Sequence, residues 1–224
     1  MRTIIRKLPA PVVFCLVLFV CYWWAISANI VLVANRLRGI TTPVDFADRN
    51  VFIMCIIELL GLAVMFWIGR IRGWSFATWG FKPSWRLTGT GVLLCLVMYS
   101  VARGAGALAN AIHPGAVQSS LLLTSHLSLP FLVLMVAVNP VFEETMETGF
   151  FVQSLQRYGM WIAVLASACF RASLHTYLGV TAVVENLLAG LIFGFIYWKW
   201  RRLWPLFVAH ALFDLNMFLR FHAA

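Results

Sequence analysis

Three carboxylates crowd into five residues of this chain, at Glu143, Glu144 and Glu147. The run before them, from Phe131 to Val138, is wholly apolar. A segment of that kind reads as buried in a membrane, where a charge costs at least ~2.5 kcal/mol on insertion scales. A chain that keeps three acids there is expected to use them. The plain alternative is a helix end at headgroup level with solvated acids. Two further pairs follow. Arg171 and His175 are four apart in one apolar run, and His210 and Asp214 are four apart in another, so each pair shares a helical face. A lone histidine on an apolar helix is ordinarily a satisfied core residue. Two of them, each with a charged neighbour one turn away and both downstream of paired acids, point to one shared polar site.

The chemistry follows from the groups. Two close carboxylates cannot both ionise cheaply in a low dielectric. A carboxylate made more basic in this way can act as general base toward water. One imidazole can position that water or take up its proton. A second, as an N–H donor, can stabilise a developing oxyanion. Together these groups suffice for peptide hydrolysis without a covalent intermediate. Serine and cysteine nucleophiles fit less well: Ser173 lies two residues before His175 on a different face, no GxSxG is present, and Cys169 has no supporting signal. Zinc is the main rival, since two His and one or two Glu could ligate it. No HExxH occurs, however, and the histidines lie on separate runs far from the acids. The expectation is therefore no metal and no cofactor.

The elements that must position these groups are membrane spans. The 224 residues are 62% hydrophobic and 11% charged, against about 45–50% and ~25% in soluble domains. This predicts an all-α fold, a polytopic transmembrane bundle of about seven or eight helices, with no room for a second sizeable soluble domain. Apolar runs cover about Ala10–Ala34, Val51–Gly69, Gly89–Ala109, a fourth from Leu129, Met160–Tyr177, Val180–Trp198 and Leu203–Leu219, each near the ~20 residues a span needs. The first run is too long for the apolar core of a signal peptide and reads as a retained span. Trp74, Trp79, Lys82, Trp85 and Arg86 suit a membrane interface. Pro140 is expected to kink or restart the fourth helix just before the acids. Residues 143–156 are expected to be helical, with Tyr158-Gly159 as C-cap and turn. A further tilted or re-entrant segment has room between residues 112 and 128. Glu58, alone in the second span, is expected to pair with Arg103 rather than to line the site.

The net charge of +9 is no nucleic-acid signature, because most Lys and Arg fall in connections between apolar runs. With seven spans, eleven of the seventeen lie on the side of the N-terminus and four on the other, with Arg103 and Arg171 intramembrane. The positive-inside rule then puts the N-terminus in the cytoplasm. The five cysteines each sit in an apolar run without a CxxC, and read as small buried hydrophobes.

These residues resemble a known family. Glu143-Glu144 with Thr148-Gly149-Phe150, then Arg171-Ala-Ser-Leu-His175-Thr-Tyr177-Leu-Gly179, then His210 with Asp214 are similar to the motifs of the CAAX prenyl protease and bacteriocin-processing (CPBP) intramembrane glutamic endopeptidases. That family carries paired Glu followed by xxxRG, a His ending an apolar helix, and HxxxN or HxxxD. The HTYxG ending at His175 is similar to a bacterial branch. Gly80-Phe81-Lys82-Pro83 also resembles the interfacial segment that often precedes the core spans. The resemblance divides the chain into N-terminal spans with an interfacial loop, 1–78, and a protease-like core, 79–219. It implies that Glu143 activates water with His175 assisting, that His210 and Asp214 occupy oxyanion-hole positions, and that Glu144 is structural. Glu147 and Arg171 would support the site.

Two departures bear on this. The family's Arg is Thr148 here, which leaves Glu144 without its usual partner; Arg171 is expected to supply the cation from the next span. Asp214 replaces the commoner Asn, and an ionised carboxylate cannot donate to an oxyanion, so it would have to be protonated or orient His210. The leading function is an intramembrane endopeptidase acting on a peptide or protein reached from the bilayer, such as a prenylated tail or a leader peptide, in the inner cell membrane. A catalytically silent relative acting as scaffold, maturation or immunity-type protein is the alternative that Thr148 favours. A transporter with a proton relay is a third, although no repeated halves are visible.

Overall fold

The computed structural model describes residues 2–40, 44–112 and 123–222. Most of the stretch in which a re-entrant segment has room lies outside the described residues. A short helix α1 (Arg2–Lys7) leads into α2 (Ala10–Leu37), α3 (Asp48–Ile71) and α4 (Trp85–Ile112). Then come α5 (Leu129–Glu143), a π-helical stretch (Glu144–Phe150) and α6 (Phe151–Leu155), which form one continuous helical run to Tyr158. α7 (Met160–Leu174), α8 (Val180–Trp200) and α9 (Trp204–His222) complete the bundle. The all-α membrane bundle expected from composition is the fold observed. Each apolar run has become a helix. Among the described residues, five helices are long and apolar enough to cross a membrane, and two apolar helices, Met160–Leu174 and Trp204–Leu219, are shorter.

Two short strands, β1 (Val44–Ala47) and β2 (Leu123–His126), pair in parallel at one end of the bundle. Hydropathy gives no sign of them, because they lie in the connections before α3 and α5. The helices pack side by side as α2, α3, α5, α9, α4, α8 and α7, with α7 returning to α2. This arrangement encloses a central space into which the acids project.

Two glycines set how closely the site-bearing helices approach. A Cβ on Gly190 of α8 would lie 2.6 Å from the Ala168 Cα of α7. One on Gly91 of α4 would lie 2.6 Å from the Val208 Cβ of α9. Small residues let helix backbones come together where hydrocarbon surroundings supply no hydrophobic drive between helices. α7 carries Arg171 and leads to His175, and α9 carries His210 and Asp214, so these contacts bring the polar groups to the bundle centre.

Pro140 does not restart the helix. It sits inside α5, and the change of register comes four residues later, in the π-helical stretch. A π turn closes i→i+5 bonds and is wider than an α turn. α7 stops at Leu174; His175 heads a 3-10 turn (Thr176–Leu178) that ends on Gly179 at φ 102.

Candidate active site

All three acids converge on Arg171. Its Nη2 lies 2.5 Å from Glu144 Oε1, its Nε 3.2 Å from Glu147 Oε2, and its Nη1 3.5 Å from Glu143 Oε2. Glu144 is fully buried and Arg171 is 3% exposed. Four-residue spacing alone would put Glu143 and Glu147 on one face and Glu144 on the next; all three carboxylates nevertheless meet one guanidinium. Thr148, at the family's Arg position, donates its hydroxyl to Glu144 Oε2 at 2.8 Å. Glu144 thus has a cation from α7 and a hydroxyl donor from its own turn. Glu147 accepts from the Tyr22 hydroxyl of α2 at 3.2 Å, and Ser167 donates to its backbone carbonyl at 2.5 Å.

His210 reaches the same acids from α9. Its Nδ1 is 2.9 Å from Glu144 Oε1, and its Nε2 is 3.8 Å from Glu143 Oε2 and 3.5 Å from Asp214 Oδ2. A carboxylate at Nδ1 accepts, so Nδ1 carries the proton of that bond. Nε2 is left facing Glu143 and Asp214. His175 uses Nδ1 on the Arg171 carbonyl, 2.9 Å away. A carbonyl only accepts, which places the proton on Nδ1 and leaves Nε2 as the working nitrogen.

Glu143 Oε1 accepts from the Asn139 amide at 3.2 Å, whereas its Oε2, like Oε2 of Glu58 and of Glu147, is buried without a hydrogen-bond partner among the described residues. Glu143, His175, His210 and Asp214 all line one cavity of about 460 Å³. Its other walls are largely apolar, among them Met54, Met98, Met135 and Phe213. Among the described residues, no group of three or more His, Cys, Asp or Glu side chains is arranged to hold a metal ion.

Sequence reasoning misplaced one residue and missed three. Glu58 does not pair with Arg103, which is exposed on α4. Glu58 is 2% exposed, lines the cavity, and accepts from the Asn139 amide at 2.9 Å. One Asn139 nitrogen therefore bridges Glu58 and Glu143, and lone charges in the sequence gave no hint of an amide between them. Asn29 of α2 donates to the Ser173 carbonyl at 2.5 Å and accepts from the Thr176 hydroxyl at 2.9 Å and the Tyr177 N–H at 3.1 Å. That side chain pins the turn that presents His175. Tyr22, the anchor of Glu147, was the third.

No curated protein and no solved structure matches the chain. Residues 125–216 match the family model described as Rce1-like, type II CAAX prenyl endopeptidase. Glu58, Asn29 and Tyr22 lie before the matched stretch, whereas both histidines, Arg171, Asp214 and the three clustered acids lie within it. By that match and by the motifs it contains, residues 125–216 belong to the CAAX prenyl protease (CPBP) family, a family of membrane proteases.

Proposed function

We propose that the chain is an intramembrane endopeptidase in which Glu143 activates a water molecule for attack on a peptide carbonyl. The observation that carries this reading is Glu143, which lines one cavity with His175 and His210 and whose buried Oε2 has no hydrogen-bond partner among the described residues, with Arg171 at 3.5 Å and His210 at 3.8 Å. A carboxylate oxygen with a free lone pair beside a cavity is suited to take a proton from water. As water oxygen bonds to the scissile carbon, its proton passes to Glu143. The carbonyl oxygen gains charge, and His210, carrying a proton on both nitrogens among the surrounding carboxylates, donates to it from Nε2–H while Nδ1–H stays anchored on Glu144. Collapse of the tetrahedral species breaks the C–N bond. The leaving nitrogen takes a proton from Glu143, and His175 Nε2 assists the transfers. Asp214, beside His210 Nε2, orients that imidazole rather than donating to the oxyanion.

Arg171 and Glu144 hold the frame. Thr148 in place of Arg favoured a silent relative on sequence grounds. The cation from α7 and the Thr148 hydroxyl supply Glu144 with partners, which supports the active reading over the silent one. The substrate is a peptide segment reached from the bilayer; a prenylated tail of the kind named for the matched family and a leader peptide are the two candidates.

The test is cleavage of a membrane-tethered peptide library by purified, reconstituted protein and by Glu143→Ala, His175→Ala and His210→Ala. Loss of a general acid–base group lowers the rate by about 10²–10⁴-fold, and the Glu143 variant is expected at the bottom of that range or at background. Undiminished cleavage in all three variants would remove the site assigned here.

A further inference from the structure

A second pocket, of about 320 Å³, shares no lining residue with the catalytic cavity. Its walls come from three helix ends: the start of α2, the connection after α3, and the turn that closes α6. The floor is aromatic. Phe14 stacks on Phe150 at 5.4 Å, and Trp74 meets Phe150 at a tilt at 5.7 Å. Phe150 is buried, whereas Phe14 and Trp74 are half-buried, so part of this floor faces outward. The ends of membrane-spanning helices stand at headgroup depth, where Trp and Tyr rings are favoured. Trp74 and Tyr158 border the pocket at such ends.

Two guanidiniums complete the lining. Arg72 donates from Nη1 to the carbonyls of Ile5 at 3.0 Å and Leu8 at 2.8 Å, which fixes its fork. Arg157 lies over the Tyr158 ring at 4.6 Å and donates from Nη2 to the Tyr158 hydroxyl at 2.5 Å. Nε and the second Nη of each arginine have no acceptor among the described residues. Among the same residues, no Asp or Glu lines the pocket and neither arginine has a carboxylate partner. Ser154 adds a hydroxyl. The catalytic cavity is the reverse, with Glu58, Glu143, Glu147, Glu185 and Asp214 in its walls. The second pocket therefore selects a ligand of opposite charge. A planar guanidinium fork matches phosphate oxygens, and the aromatic floor suits hydrocarbon.

From the aromatic floor, the two arginines and the acid-free lining, we infer that this pocket holds an anionic phospholipid, its phosphate on Arg72 and Arg157 and the start of its acyl chains on Phe14 and Trp74. Basic pockets between membrane helices take anionic headgroups in this way. A zwitterionic lipid would bring a second cation to the same two arginines. Inorganic phosphate would meet the arginines and leave the floor uncovered. Phe150, in the floor, is the last residue of the π-helical stretch that begins at Glu144. A lipid seated here thus braces the turn that carries the acids. The assignment does not depend on the endopeptidase reading.

The test is native mass spectrometry of the purified, delipidated full chain. It is titrated in turn with phosphatidylglycerol, with phosphatidylcholine of the same acyl chains, and with inorganic phosphate. One saturable phosphatidylglycerol per chain is expected, held more tightly than phosphatidylcholine. Arg157→Gln is expected to weaken it about fivefold, the equivalent of ~1 kcal/mol for one cation at a membrane surface. Lys82→Gln removes an exposed charge outside the pocket, on the connection that also carries Arg72, and should change nothing. Ser154→Trp fills the pocket without removing charge and should abolish saturable binding, with folding checked by size exclusion. Arg157→Gln decides the matter even if Ser154→Trp fails to fold. Phosphatidylglycerol should also raise the unfolding temperature of the parent and not of Arg157→Gln, since a ligand of the native state stabilises it. Equal affinity for the two lipids, or parent affinity in Arg157→Gln, overturns the proposal. So does saturable binding that survives in folded Ser154→Trp. Displacement of phosphatidylglycerol by an equal concentration of inorganic phosphate would make this a free-anion site and overturn the lipid assignment.

Discussion

Phe150 and Met217 illustrate two halves of one bundle. Phe150 is 1% exposed, stacked on Phe14 at 5.4 Å and meeting Trp74 at a tilt at 5.7 Å. Met217, late in α9, is half-buried and borders the cavity. The first half packs rings against one another and leaves a separate pocket of about 320 Å³ bordered by Phe14, Trp74 and Phe150; the second leaves the chamber of about 460 Å³ that Glu143 and both site histidines line. The acids lie where the two meet. A filled half gives the carboxylates a rigid floor, and the open half gives the reacting carboxyl somewhere to put water and substrate. A catalytic group has to be held on one side and available on the other: Glu143 Oε1 is hydrogen-bonded by Asn139, while Oε2 has only the longer ion-pair contacts to Arg171 and His210.

The strongest way to break this division is at the boundary. Arg171→Leu would leave Glu143, Glu144 and Glu147 buried together without their cation. Removing one partner of a buried ion pair costs about 3–5 kcal/mol, and three acids depend on this one. The expected outcome is little folded protein in detergent, read by size-exclusion and thermal unfolding. A charge swap at the same pair probes the boundary further. Exchanging Glu144 and Arg171 would move a carboxylate beside Glu143 and Glu147, so the double variant is expected to recover only part of the stability each single variant loses. Full recovery would mean that the contacts to Glu143 and Glu147 contribute nothing.

Next in size is the contrast between the halves themselves. Phe150→Ala empties a site that cannot collapse easily, at about 3–5 kcal/mol for a buried aromatic. Met217→Ala removes a side chain that already borders open space, so its cost is expected to be well below that of Phe150→Ala. The check is thermal unfolding of both variants under one detergent condition. Equal losses would show that the cavity half is as tightly packed as the aromatic half.

How much of this was legible beforehand depends on what each residue costs to bury. Charged groups in apolar runs announce themselves because hydrocarbon penalises them. Glu143, Glu144, Glu147, Arg171, His210 and Asp214 were all visible for that reason, and so was the helical bundle. Neutral amides do not announce themselves. Asn29 and Asn139 resemble any polar residue near a helix end or a proline, and their partners are a turn 144 or more residues away and a carboxylate on another helix. Glu58 was seen but given the wrong partner, because a charge-matching argument chooses cations and the structure supplied an amide. The π-helical stretch was also hidden. Its widened turn is set where three acids meet a cation from another helix, and local propensity carries no record of that. The 3-10 turn at His175 shows the same limit: the sequence located the histidine but extended its helix to Tyr177, past the true end at Leu174.

The finest test of the boundary is Asn139, whose single amide nitrogen holds Glu58 at 2.9 Å and Glu143 at 3.2 Å. Asn139→Ala removes both donors without adding charge. Glu143 would then be free to turn, and the position of Oε2 would no longer be fixed from the Oε1 side. Losing one hydrogen bond to a charged group is worth about 1.5–3 kcal/mol, of which an orientation effect of about 1.4 kcal/mol would lower kcat tenfold. The expected result is kcat down by about that factor with KM little changed, since Asn139 is one small part of the lining and the apolar walls stay in place. Glu58→Gln keeps an acceptor for Asn139 and should retain activity, whereas Glu58→Ala should move kcat in the same direction as Asn139→Ala. If Asn139→Ala turns over at the parent rate, Glu143 is held by the floor alone, and the bridge to α3 serves the packing of α3 against α5 rather than the chemistry.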